Sequence, residues 1–189
     1  MRVGRRAFVA ETIALAAFPA AATKPPPLPR TARIHWPGPH EELHGYMAIP
    51  AKARGAQPAI LVVHDTGSAD AFTLSLADRL ALAGFVACAP TRLTLLEEAV
   101  ATVRWLGTNA YATGKVAAVG LGSGGALVDR VAVSPQPLLA AAITFGASEG
   151  TTATAATPML RFDAVGQMRA EEYNDAWSRT IAFLKEHLA

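Results

Sequence analysis

The stretch that decides the fold is KVAAVGLGSGGALVDRVAV, Lys115 to Val133. An apolar β-type run ends at Val119. The glycine-rich turn VGLGSGG, Val119 to Gly125, follows, and ALVDRVAV continues with helical spacing. A turn of this kind between strand and helix either cradles a phosphate on the helix N-terminus or exposes a nucleophile. Gly120, Gly122 and Gly125 fit G-x-G-x-x-G, and Glu149 lies beyond the next apolar run, where a ribose-binding acid would stand. A dinucleotide-binding half-domain begins with this turn, however, whereas here strands and two helices already precede it. The same residues fit the nucleophile elbow G-x-Nuc-x-G. With Gly120 and Gly124 as the flanking glycines, the nucleophile slot falls on Gly122, which has no reactive atom. Sliding by one residue makes Ser123 a displaced candidate nucleophile but puts Leu121 where a small residue is needed.

Outward from this turn the chain alternates strand and helix. ARIHW and LHGYMAI read as half-buried strands joined by PGPHEE, and AILVVH is a continuous apolar run suited to a strand covered on both faces. AFTLSLADRLALAG has helical spacing and closes at Gly84, and FVACAP is a short strand. TLLEEAVATVRWLG opens with Thr94 and Glu97 in capping-box spacing and carries Leu96, Val100, Val103 and Leu106 as an apolar stripe. LLAAAITFG and PMLRF are two further strands, separated by the small-residue connection ASEGTTATAATP. AEEYNDAWSRTIAFLKEHL is a closing helix with Tyr173, Trp177, Ile181, Leu184 and Leu188 on one face. The order predicts an α/β, three-layer architecture. Its mostly parallel sheet has about seven strands, with helices on both faces.

These stretches, taken in order, resemble the dienelactone hydrolase family of α/β-hydrolases. GYMAIPA is similar to the family's second strand. PAILVVHDTGSADAFTLSLADRLALAGFVACAP is similar to its central strand, oxyanion loop, first helix and next strand. KVAAVGLGSGGALV is similar to its elbow, and YNDAWSRTIAFLKEHL to its last helix. The resemblance implies hydrolysis of small esters or lactones without a cofactor, by a Cys-His-Asp triad with a glutamate after the central strand. By position, the cysteine becomes Gly122 and the glutamate becomes Asp65. The oxyanion donors become the backbone N–H groups of Thr66 and Ser123. Between the last strand and the last helix, Asp163 is the only acid and there is no histidine; Val165 or Gly166 stands where the histidine would come. The lid after CAP and the late strand–loop segments are short. The chain therefore reads either as a hydrolase of small esters or lactones with an incomplete triad, or as a non-catalytic relative that keeps a binding pocket. The dinucleotide reading is the third.

His64 closes the central strand near the elbow, where it either orders the oxyanion loop or serves as a base for Ser123. His35, His40 and His44 belong to the first two strands and their turn and read as surface residues. His187 sits in the last helical turn, where a cation suits the helix dipole. No metal-ligand spacing is visible along the chain, and no metal or cofactor is expected. The single cysteine, Cys88, excludes an intrachain disulfide and reads as a buried hydrophobe.

The chain has 189 residues, half of them apolar, and a formal charge of +2, a globular composition. Residues 1–22, MRVGRRAFVAETIALAAFPAAA, have a basic start, a moderately apolar middle and a small-residue end. GRRAFVA within them resembles a twin-arginine export signal. The expectation is an exported, periplasmic protein, or a cytoplasmic one if this segment stays attached. Cleavage after Ala22 would remove Arg2, Arg5, Arg6 and Glu11 and leave acids and bases balanced, with no nucleic-acid footprint. The leader is too short in uninterrupted apolar length to span a membrane. Residues 23–31, TKPPPLPRT, form a stiff spacer, and a single domain runs from 32 to 189.

Overall fold

The computed structural model describes residues 27–64, 69–134, 139–146 and 157–189. The expected leader, the first four residues of the spacer, Asp65, Thr66, Glu149 and most of the small-residue connection lie outside the described residues.

Seven strands form one open sheet in the order β1-β2-β4-β3-β5-β6-β7. The strands are β1 (Arg30–Pro37), β2 (Glu42–Ile49), β3 (Gln57–Val63), β4 (Val86–Pro90), β5 (Ala112–Leu121), β6 (Ala141–Phe145) and β7 (Met159–Phe162). The first two run antiparallel to their neighbours, and β4, β3, β5, β6 and β7 are mutually parallel. Four helices cover the faces: α1 (Ala71–Leu82), α2 (Leu96–Thr108), α3 (Ser123–Ala132) and α4 (Ala170–Leu188). Leu76 and Leu80 of α1 share a core with Ala176, Leu184 and Leu188 of α4. Val103 and Leu106 of α2 share the other with Leu127 and Val128 of α3. This is the three-layer arrangement expected from the alternation. The central strands are apolar on both faces because both are covered; Ala59 to Val63 of β3 are all buried.

Several local features differ from the linear reading. The first strand begins at Arg30, inside the expected spacer, because its register with β2 carries through to Arg30 opposite Ile49. The cap of α2 is one residue later than Thr94–Glu97. Leu95 is the N-cap, and the Glu98 carboxylate accepts from the N–H groups of both Thr94 and Leu95 (3.2 Å each), while Glu97 turns outward to His40. The buried stripe of α2 shifts with it, to Ala99, Thr102, Val103 and Leu106. In α4 the buried line is Ala176, Thr180, Leu184 and Leu188. Tyr173 and Trp177 flank it and hold Arg79 of α1 between their rings, 5.2 and 4.2 Å from the ring centroids.

The edge hairpin is tied to the body by Trp36. Its indole N–H donates to Thr102 Oγ1 (3.1 Å), and its ring stacks on Trp105 at 4.9 Å. On the other face Tyr46 donates to Asp78 of α1 (2.6 Å). Cys88 is fully buried, as expected for a small hydrophobe, and burial pushes its thiol far above the usual range. Among the described residues, no helix is long and apolar enough to cross a membrane.

Candidate functional site at the strand five elbow

The site is built by the sharp passage from β5 into α3. Gly122, the N-cap of α3, has φ 52° and ψ −122°, a backbone state that L side chains rarely adopt. Its N–H donates to Phe145 O at the end of β6 (2.8 Å), and its carbonyl accepts from Gly125 (2.9 Å). The neighbouring glycines are needed for close approach. A Cβ on Gly120 would stand 2.6 Å from Gly125 Cα, and one on Gly124 would stand 2.3 Å from the carbonyl oxygen of His64. The turn is a sharp strand-to-helix passage with Gly122 at its apex.

Around the apex lies a cavity of about 200 Å³. Leu121 and Gly122 come from the elbow and Phe145 from the end of β6. Asp70, Phe72 and Thr73 come from the start of α1, and Ala164, Val165 and Gly166 from the segment after β7. Gly122 and the Val165–Gly166 segment, to which the resemblance assigns the nucleophile and histidine positions, thus line one cavity. The convergence is tight. Gly146, at φ 67°, packs so closely that a Cβ would lie 2.7 Å from Ala164 Cβ, and Phe145 stacks on Phe162 at 4.9 Å.

The remaining candidates are distributed differently. Ser123 is exposed as the first residue of α3 and is not among the cavity-lining residues. His64 is buried at the end of β3, with its carbonyl against Gly124, and does not line the cavity either. Asp163 is exposed and faces a separate groove with Arg161, Arg169 and Arg179. Asp65 and Thr66 lie outside the described residues, so neither the glutamate position nor that oxyanion donor is seen.

Among the described residues, the charged group at the cavity is Asp70, which the linear reading did not single out. Its Oδ1 accepts from the Thr73 N–H (2.8 Å) and from Thr73 Oγ1 (2.7 Å), capping α1. The Thr73 backbone hydrogen bond, then its hydroxyl, hold the carboxyl below the usual aspartate range, and attraction to His64 adds to this. The signal was available as Asp-x-x-Thr before a helix, but it reads as a cap until the fold sets it opposite Gly122. Among the described residues lining the cavity, Thr73 Oγ1 is the only hydroxyl, it already donates to Asp70, and there is no thiol or imidazole.

No protein-family model matches the chain. A protein of Escherichia coli (strain K12) named as a hydrolase fragment, YghX, is 40% identical over 63 residues, 32% of this chain and 54% of that protein. The chain thus spans about half the length of the curated relative it matches. A solved dienelactone hydrolase from Anabaena variabilis ATCC 29413 superposes with a TM-score of 0.69 at 14% identity, covering 86% of this chain and all of that one. The dienelactone hydrolase-like promiscuous phosphotriesterase P91, from metagenomic libraries, gives a TM-score of 0.65 at 17% identity, covering 82% of this chain and 79% of that one. The chain has the α/β-hydrolase fold of these proteins.

Proposed function

We propose that this chain is a dienelactone hydrolase-like protein whose elbow cavity binds a small ester or lactone, with the covalent step lost at Gly122. The observation that carries the reading is the conformation of Gly122. Gly122 holds a positive-φ backbone and lines a small cavity, which supports reading it as a nucleophile position without its side chain. The cavity suits a small carbonyl compound. Phe72, Leu121, Phe145 and Val165 offer apolar walls, and the positive end of the α3 dipole begins at Gly122, where a carbonyl oxygen is favoured.

Two features support the family reading: the β3–β5–α3 geometry with its two close-packed glycines, Gly120 and Gly124, and the hydrolase names of the proteins that share the fold. The twin-arginine-like GRRAFVA stretch supports a periplasmic location. Mass determination of protein recovered from the periplasm should show cleavage near Ala22.

A second reading keeps hydrolysis and assigns it to Ser123, helped by His64. It draws on the position of Ser123 directly after the elbow apex. Hydrolysis of p-nitrophenyl acetate and of a small lactone by the chain and by Ser123→Ala separates the two. Binding of the lactone, seen as shifts of amide resonances of Gly122 and Val165, without turnover supports the first reading. Turnover that disappears in Ser123→Ala establishes the second.

A further inference from the structure

On the outer face of the edge hairpin, His35 of β1 stands directly opposite His44 of β2, and Glu42 lies two residues before His44 on the same strand face. We propose that these three side chains form a binding site for a divalent transition-metal ion of the zinc class. The donor atoms of His35, Glu42 and His44 all lie within 4.8 Å of one another. Glu42 Oε1 is 3.5 Å from His35 Nδ1 and 3.7 Å from His44 Nε2. Donors bound to one tetrahedral zinc ion at about 2.0–2.1 Å are roughly 3.4 Å apart, so small side-chain rotations close the set. Two imidazoles and one carboxylate suit zinc, copper or nickel and not magnesium or calcium, which prefer all-oxygen shells.

The backbone beneath the site is fixed. The hairpin is paired in register from Arg30–Ile49 to Pro37–Glu42, and Trp36 and Leu43, the next pair along, are buried in the core. The three donors are therefore held on one side of a rigid two-stranded element while their own side chains stay open to solvent. The neighbouring face opens into a groove of about 860 Å³ lined by His35, His44, Tyr46, Leu74 and Thr91, which leaves room for a fourth, exogenous ligand. This pair is invisible in linear spacing, where His35 and His44 fit no metal motif; only the hairpin register brings them together.

The test uses the full chain, produced without a polyhistidine tag and dialysed against a chelator. Calorimetric titration with zinc chloride should show one equivalent bound, and binding should weaken roughly tenfold or more in His35→Gln, His44→Gln and Glu42→Gln. His40→Gln, on the turn of the same hairpin, should leave the affinity unchanged. Because a bound ion clips two strands together, zinc should also raise the melting temperature of the chain but not that of His44→Gln. Circular dichroism of each exposed variant confirms that it is folded. Absence of saturable zinc binding, or unchanged binding in a His35→Gln, His44→Gln double variant, overturns the proposal.

Discussion

Gly124 lies so close beneath His64 that a Cβ on it would stand 2.3 Å from the His64 carbonyl oxygen and 2.5 Å from that of Val63. The start of α3 is thereby seated on the C-terminal end of the central strand, and this contact sets the height of the elbow above the sheet. Both obstructing atoms are backbone, so no side-chain rotation can relieve them.

Gly124→Ala should accordingly destabilise the protein by about 3 kcal/mol or more, at the upper end of overpacking costs. For a domain of this size that lowers the melting temperature by roughly 6–12 °C. Gly166→Ala is the control, since a Cβ there meets nothing within 4 Å and its backbone is not in the positive-φ region. Thermal unfolding of the two variants checks this. Equal melting temperatures would show that α3 moves away from His64 without cost.

Asp70→Ala should remove the N-cap of α1 and cost about 1 kcal/mol at neutral pH. The loss should depend on pH in a definite sense. Hydrogen bonds from Thr73 hold the Asp70 carboxyl below its ordinary value of 3.8, so the ionised cap stabilises the fold fully above that value. As the pH falls through the lowered folded-state pKa, the charge-dependent part of this contribution is lost and the two curves draw together. Asp70→Asn keeps a capping oxygen without the charge and should show a smaller loss with little pH dependence. Chemical denaturation between pH 2 and pH 7 gives all three curves.

How much was legible in the sequence depends on whether a residue's partner is near it in the chain. The α4 helix has its bounds in its own amphipathic period, and the elbow has its form in the spacing of Gly120, Gly122 and Gly124. The parallel sheet follows from alternating apolar runs that leave no other face to bury. The cap of α2 was misplaced because Thr94 has the better side chain for the role. In the fold Leu95 takes the cap, and the Glu98 carboxylate satisfies two backbone donors at once. At the site, Asp70, Phe145 and Val165 come from three separate strand ends or helix starts, and their convergence on Gly122 is a property of strand order that no local pattern carries. The same holds for His35 and His44, whose pairing is a matter of hairpin register.

Asp129 of α3 offers a second pH-dependent test with the opposite sign. It is buried, and Arg161 of β7 reaches its Oδ1 at 3.1 Å. Burial raises its pKa, and the Arg161 charge and hydrogen bond offset only part of this. An acid with a raised folded-state pKa favours the fold when protonated. Stability is therefore lost as the pH rises above 3.8, where the unfolded chain ionises first, through the raised folded-state value. Asp129→Asn cannot ionise and should not lose stability over that interval. Denaturation curves of the two proteins should separate with rising pH, to the advantage of the variant. A wild-type advantage that grows over the same interval would show that the Arg161 pair outweighs the burial.

The last prediction concerns the empty apex itself. Gly122→Cys places a thiol at a position whose φ of 52° costs a side chain about 1–3 kcal/mol, so the variant should fold with reduced stability. Its thiol should react with iodoacetamide in the native protein. The wild-type chain should not react, because Cys88 is fully buried and burial holds its thiol protonated. Labelling read by mass spectrometry thus reports directly whether the cavity admits a small molecule to the apex. Adding Gly166→His places an imidazole on the segment that faces Gly122 across the cavity, at a position with open space for a side chain. If the two sites are within reach of each other, the double variant should hydrolyse p-nitrophenyl acetate on the order of a hundredfold faster than Gly122→Cys alone, the usual scale of general-base assistance. An alkylated but hydrolytically inert double variant would show that an imidazole at position 166 does not reach the apex. Failure of the single variant to be alkylated would show that the Gly122 apex is closed and would count against a ligand site there.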